Sequence, residues 1–175
     1  MQTATIRRLL GPPAVVGVLA GLMAAAPAAN AKIVVGQSIA GVKLGDSQAQ
    51  VKALLGKPSN CDPSCGVHAR VWRYLHGFSG VIEFDAGGHV HSMWTGSSDQ
   101  STSKGIHAGA IGKPGSSLAD IKAAYPSATC EELPNSGGFA SCDVFTHARG
   151  HKVDTNFLIK AASFGVAEIA VSFAQ

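Results

Sequence analysis

Gly45-Asp46-Ser47-Gln48-Ala49-Gln50-Val51-Lys52-Ala53-Leu54-Leu55-Gly56 sets the reading of this chain, because a helix is written into it from start to stop. Ser47 and Gln50 have the spacing of a capping box, in which each side chain meets an orphan backbone N–H of the other residue. Val51, Leu54 and Leu55 then fall on one helical face, and Gly56 ends the run. A second segment repeats the plan: Gly112-Lys113-Pro114-Gly115-Ser116-Ser117-Leu118-Ala119-Asp120-Ile121-Lys122-Ala123-Ala124-Tyr125-Pro126. Setting Ser47 against Ser117, 70 residues later, lays Val51-Lys52-Ala53 on Ile121-Lys122-Ala123. Asp120 takes the place of Gln50 and also suits the positive end of a helix. Leu118, Ile121 and Tyr125 form the second stripe, Pro126 the second stop. Soon after each helix comes a cysteine, Cys61 or Cys130.

Outward from the helices the period changes to two. Val71 to His76 alternates around Trp72 and Tyr74, and Gly77 to Gly80 reads as a turn. Ile82 and Phe84 face one way and Glu83 and Asp85 the other, as a half-buried strand requires. Gly87-Gly88 makes the next turn, and His89 to Trp94 returns. In the second half, Cys142 to His147, Val153 to Ile159 and Val166 to Phe173 alternate likewise, with turns at Arg149-Gly150-His151 and Ser163-Phe164-Gly165. Each half is expected to be a short helical element followed by a strand meander. The predicted fold class is therefore α+β, as two tandem modules over 32–98 and 99–175, each with its helix packed on an antiparallel meander. Thr95 to Lys104, rich in Ser, Gly and Thr, is the expected joint.

The N-terminus reads as an export signal. Arg7 and Arg8 precede an apolar run from Ala14 to Ala26, and Ala29-Asn30-Ala31 supplies small residues at a peptidase site. That run has 13 residues, short of the roughly 20 a bilayer span needs, and Pro27 breaks it. Cleavage after Ala31 is expected, giving a secreted or periplasmic chain without a membrane span. Of the 14 basic residues two fall in the signal, with none of the 11 acidic ones, so the remainder is close to neutral. No basic stripe exists to engage nucleic acid.

Cys61, Cys65, Cys130 and Cys142 form an even set in an exported chain, which reads as disulfides. Of the three possible pairings the local one, Cys61–Cys65 with Cys130–Cys142, fits best, since each pair stays in its own half. A four-thiolate zinc site is the rival, but the long Cys130–Cys142 spacing resembles no compact knuckle.

The order of apolar-Gly step, Ser cap, "QV" or "DI" helix, breaker and meander, closing on the apolar strand after Gly165-Val166, resembles the tandem modules of the β-lactamase inhibitory protein family. It is also similar to the small lipoprotein of the outer-membrane β-barrel assembly machinery. The resemblance spans most of residues 39 to 173 and includes one local disulfide per module. It implies a protein-binding, non-catalytic role through an aromatic sheet face, for which Trp72, Tyr74, Phe78 and Trp94 are the candidates here.

Other constellations compete with that expectation. Gly45-Asp46-Ser47 resembles the nucleophile block of Gly-Asp-Ser esterases, whose Ser needs a His base and an orienting acid. That family supplies them from an Asp-x-x-His. Here Asp85 to His89 and Asp143 to His147 are each one residue too long, and the helix cap explains Asp46, Ser47 and Gln50 together. His89 and His91, spaced i, i+2, are the weak metal candidates, with His76, Glu83 or Asp85 nearest to complete a set. Gly87-Gly88 precedes no helix and is no phosphate loop. The sequence thus predicts an exported, non-enzymatic binding protein without a cofactor, its partner another exported or envelope protein. The alternative is an exported serine hydrolase using Ser47.

Overall fold

A computed structural model describes residues 32–66, 69–110, 112–133, 138–160 and 165–174. The expected signal peptide lies outside the described residues, as do Ser163 and Phe164 of one expected turn. Along the described chain run β1 (Lys32–Val34), β2 (Ser38–Ile39), β3 (Val42–Lys43), α1 (Gln48–Leu55), β4 (Asn60–Asp62), β5 (Val71–Tyr74), β6 (Gly80–Phe84), β7 (Val90–Thr95) and β8 (Ser101–Thr102). Then come α2 (Leu118–Ala124), β9 (Thr129–Glu132), β10 (Ala140–Ala148), β11 (His151–Ile159) and β12 (Val166–Phe173).

The α+β expectation is overturned. Among the described residues twelve strands stand against two helices of 8 and 7 residues, and the protein is mostly β. Eight strands form one continuous sheet in the order β4-β5-β6-β7-β12-β11-β10-β9, and four short ones form a second sheet, β3-β2-β1-β8. The two meanders do not close off as separate helix-on-sheet units. Their last strands, β7 and β12, pair antiparallel through Met93 opposite Val171 and Trp94 opposite Ala170. Pairing between distant strands leaves no mark on local periodicity, and strands of two or three residues are too short to show a period. The expected joint is structured as well: Thr95 ends β7 fully buried, Gln100 is fully buried, and β8 pairs parallel with β1.

Both helices begin where the sequence places them. Ser47 Oγ accepts from Gln50 N at 3.3 Å while Ser47 N donates to Gln50 Oε1 at 2.8 Å. Ser117 and Asp120 repeat the box, with Ser117 N donating to Asp120 Oδ2 at 2.8 Å. Each helix drives one residue fully into the core, Val51 or Ile121, a burial worth about 2 kcal/mol apiece. Leu54 and Leu118 stay largely exposed, so each stripe is narrower than its spacing suggests.

One face of the large sheet receives everything else. Tyr125, at the end of α2, stacks on Phe157 of β11 with ring centroids 5.7 Å apart. Tyr74 of β5 donates to the Gly56 carbonyl at the end of α1. Gly36 fixes the small sheet: its N–H donates to Thr155 Oγ1 at 2.7 Å, and a Cβ there would run into the Thr146 side chain. Its φ of +72° also favours glycine. The β10–β11 hairpin turns through Arg149 and Gly150, both at positive φ, a turn whose twist matches that of paired strands.

The cysteines pair locally, as expected. Cys61–Cys65 has Cα atoms 5.0 Å apart and Cys130–Cys142 4.1 Å apart. Each ties down an edge strand of the large sheet, β4 or β9. Such bridges belong to an oxidising compartment. No helix among the described residues is long and apolar enough to cross a membrane.

Candidate surface on the open sheet face

Alternation on the long strands sorts the large sheet into two faces. Val153, Thr155, Phe157 and Ile159 of β11 are buried, while Asp154, Asn156 and Leu158 are half-buried and face away from the helices. On β12, Ile169 and Val171 are buried and Glu168, Ala170 and Ser172 are not. On β7, Met93 is fully buried and Trp94 is half-buried. Register makes these outward residues neighbours: Asp143, Asn156, Ala170, Trp94, Val81 and Arg73 stand side by side across six strands. Most of these outward residues are only partly buried, while Val81, which stands between Trp94 and Arg73, is 5% exposed.

Of the four aromatics expected to form a binding platform, three lie on the wrong side of the sheet. Trp72, Tyr74 and Phe78 are 5%, 4% and 3% exposed. Trp72 meets Phe84 edge-on at 4.9 Å and Tyr74 meets Phe78 edge-on at 5.9 Å, so both pairs are core packing. Burial also pushes the Tyr74 hydroxyl up to about 12. Alternation alone leaves open which face of β5 is the core, and the chain puts its large aromatics there because they bury the most apolar area. Trp94 remains, and it sits at the centre of the open face.

Polar groups dominate around it. Asn156 Nδ2 donates to Ser141 Oγ at 2.5 Å and to Asp143 Oδ1 at 2.6 Å. Ser92 Oγ donates to Glu83 Oε2 at 2.6 Å. Asp154 Oδ1 is shielded and has no hydrogen-bond partner. Partial burial, and then the Asp143 carboxyl beside it, push Asp154 up to about 6, with Lys152 offsetting part of the rise. Burial likewise raises Glu168. Lys152 extends over the exposed ring of Phe145, 3.8 Å from its centroid. Between these residues lies a groove of about 500 Å³ lined by Glu83, His91, Phe145, Lys152 and Asp154. None of Asp143, Phe145, Asp154 or Asn156 stands out in the sequence as a motif. Their signal is only the two-residue alternation of β10 and β11, which marks a face and not a role.

The histidine pair flanks the buried Val90. His89 precedes β7, its Nδ1 3.7 Å from Asp85 Oδ1, whereas His91 lies on β7 beside Phe173. The bulge between Glu83 and Phe84 shifts the register there. No three His, Cys, Asp or Glu side chains converge as metal ligands among the described residues.

Ser47 has a more suggestive neighbour than its sequence shows. It stands directly across an isolated antiparallel bridge from His89, and His89 stands beside Asp85, so Ser, His and Asp follow one another in space. The contacts are those of a cap all the same. Ser47 Oγ donates to Gln50 Oε1 at 2.9 Å and accepts from Gln50 N, which occupies its proton and a lone pair. Asp85 Oδ1 accepts the backbone N–H groups of His89 and Gly87, bonds that hold this carboxyl below its usual range. No hydrogen bond links Ser47 to His89, and the His89–Asp85 separation exceeds hydrogen-bond reach.

No family model matches the chain, and no curated protein does. Among solved structures it is similar to the crystal structure of a DUF4309 family protein, YjgB, from Bacillus subtilis subsp. subtilis str. 168. The similarity has a TM-score of 0.48 and 11% identity over 79% of this chain and 88% of that one, a level from which no function is carried over.

Proposed function

We propose that this is an exported, non-enzymatic binding protein that recognises another exported or envelope protein through the open face of its eight-stranded sheet. The observation that carries the reading is the partly buried outward row on β7, β12 and β11, with Trp94 at its centre. Trp94 keeps part of its ring accessible on a central strand, and Trp is among the residues enriched where partners anchor. The surrounding Asp, Asn and Ser side chains supply hydrogen-bonding groups around that anchor. Two disulfides are consistent with export.

The reading is tested by competition. Untagged wild-type protein is expected to displace a tagged copy from its partner in the exported fraction of its own source, and Trp94→Asp, confirmed to be folded at the assay temperature, is expected to compete at least about tenfold less well, as for a buried anchor. Equal competition by the variant would place binding elsewhere.

A further inference from the structure

We propose that the open sheet face docks a basic segment of the partner protein, with an arginine of that segment stacked on Trp94 between Glu83 and Glu168. This rests on the protein-binding reading above and names the chemistry of the partner.

Charge is sorted unevenly over the molecule. Once Arg7 and Arg8 are set aside from the 14 basic residues, the remainder nearly balances the 11 acidic ones. The large sheet departs from that balance. Register places Glu131, Asp143, Asp154 and Glu168 outward on β9, β10, β11 and β12, with Glu83 and Asp62 outward on β6 and β4. The basic residues on these strands are Arg73 and Lys152, and Lys160 lies just past β11. Acids therefore outnumber cations on this face. The ion pairs among the described residues, Arg149–Asp46 and His89–Asp85, use none of these acids. Glu168 makes no hydrogen bond or ion pair among the described residues, and Asp154 Oδ1 is shielded without a partner. Like charges gathered without counter-charges repel one another, and a cationic partner relieves that repulsion on binding.

Trp94 stands in the middle of these carboxylates. Val81 and Ala170 lie directly opposite it on the neighbouring strands, so Glu83 and Glu168 are its diagonal neighbours, one toward each end of β7. Diagonal neighbours on one face are about 7–8 Å apart, within reach of long side chains. A partly accessible indole with a carboxylate on either side suits a planar guanidinium, which stacks on an aromatic face while its N–H groups donate to carboxylates. From β6 to β9 the acids spread over five strand spacings, roughly 24 Å at about 4.8 Å each. That is too wide for one metal ion, and no three ligand side chains converge among the described residues. It matches an extended segment of about seven residues. An acidic face repels nucleic acid and anionic lipid, which leaves a basic protein segment as its occupant.

The test uses two fluorescein-labelled peptides of about eight residues, one alternating arginine with serine and one alternating glutamate with serine. Both are titrated against the full exported protein at about pH 7.5, where Asp154, with its value of about 6, is ionised. The arginine peptide is expected to bind at least about tenfold more tightly than the glutamate peptide and to weaken as salt is added. Glu83→Gln/Glu168→Gln, with folding checked by thermal unfolding, is expected to weaken the arginine peptide about tenfold. Arg73→Gln removes a cation two strands from Trp94 and is expected to tighten it about threefold, which keeps the proposal testable if the double variant fails to fold. Equal binding of the two peptides, an arginine peptide indifferent to Glu83→Gln/Glu168→Gln, or weaker binding by Arg73→Gln would overturn the proposal. If the arginine peptide fails while Trp94→Asp still loses the competition described above, this inference falls and the open-face reading stands; if both fail, both fall.

Discussion

The two faces of the eight-stranded sheet are made by the same strands, residue by residue in alternation, yet they are buried to different degrees. Toward the helices lie Phe157, Ile82, Met93, Val171 and Trp72, sealed under α1, α2 and the small sheet. Away from them lie Trp94, Asn156, Asp154, Glu83 and Ser172, none fully buried. The difference teaches that the position of an aromatic in a strand decides its role more than its identity does. Trp72 and Trp94 belong to neighbouring parts of one meander, but the first is a core residue and the second a surface one. Trp72 is 5% exposed, while Trp94 is only partly buried.

The comparison breaks most visibly in stability. Phe157→Ala removes a fully buried ring and its stack with Tyr125, and a loss of about 3–5 kcal/mol is expected in chemical denaturation. Trp94→Ala is expected to cost less in the same assay, about 1–2 kcal/mol, because its ring is only partly buried. Similar losses at the two positions would mean that the open face is structural too.

Much of the local structure is legible in the chain, and the reasons are physical. Ser47–Gln50 and Ser117–Asp120 act through contacts three residues apart, so their spacing determines their geometry. The long strands β10, β11 and β12 show enough alternation to be read, and Cys61–Cys65 and Cys130–Cys142 close short loops. What escapes reading is non-local. Nothing near Met93 announces that it will face Val171, and the two-residue strands of the small sheet carry no period. The face assignment of Trp72 and Tyr74 fails for the same reason, because alternation separates two faces without saying which one the helices will cover. Asp154 is invisible until β10 brings Asp143 beside it.

That carboxyl offers an intermediate effect. Its pKa in the folded protein, about 6, lies above the ordinary aspartate value, so the folded state holds the proton more tightly than the unfolded one. Its contribution to stability is full below the unfolded value and is lost as pH rises toward about 6. Asp154→Asn is therefore expected to stabilise the protein near neutral pH by about 1 kcal/mol, a figure reduced for its partial exposure, and to have no such benefit near pH 3. A variant less stable than the parent at neutral pH would remove Asp154 from the strained groups of the open face.

The smaller effects come from the two caps. Ser47→Ala and Ser117→Ala are each expected to lose about 1 kcal/mol or somewhat less, since both hydroxyls are exposed. Neither is expected to alter hydrolysis of p-nitrophenyl esters. Ester turnover in the parent that vanished only in Ser47→Ala would instead assign Ser47, His89 and Asp85 a catalytic role.

The central claim is that the open face, and Trp94 in particular, touches a partner. A photoreactive amino acid placed at position 94 tests it directly, with the same group at Lys57, an exposed site just beyond α1, as the comparison. Irradiation in the exported fraction is expected to give a discrete adduct from position 94, suppressed by excess unlabelled parent, and none from position 57. Adducts of equal yield from both positions, or from position 57 alone, would contradict the account.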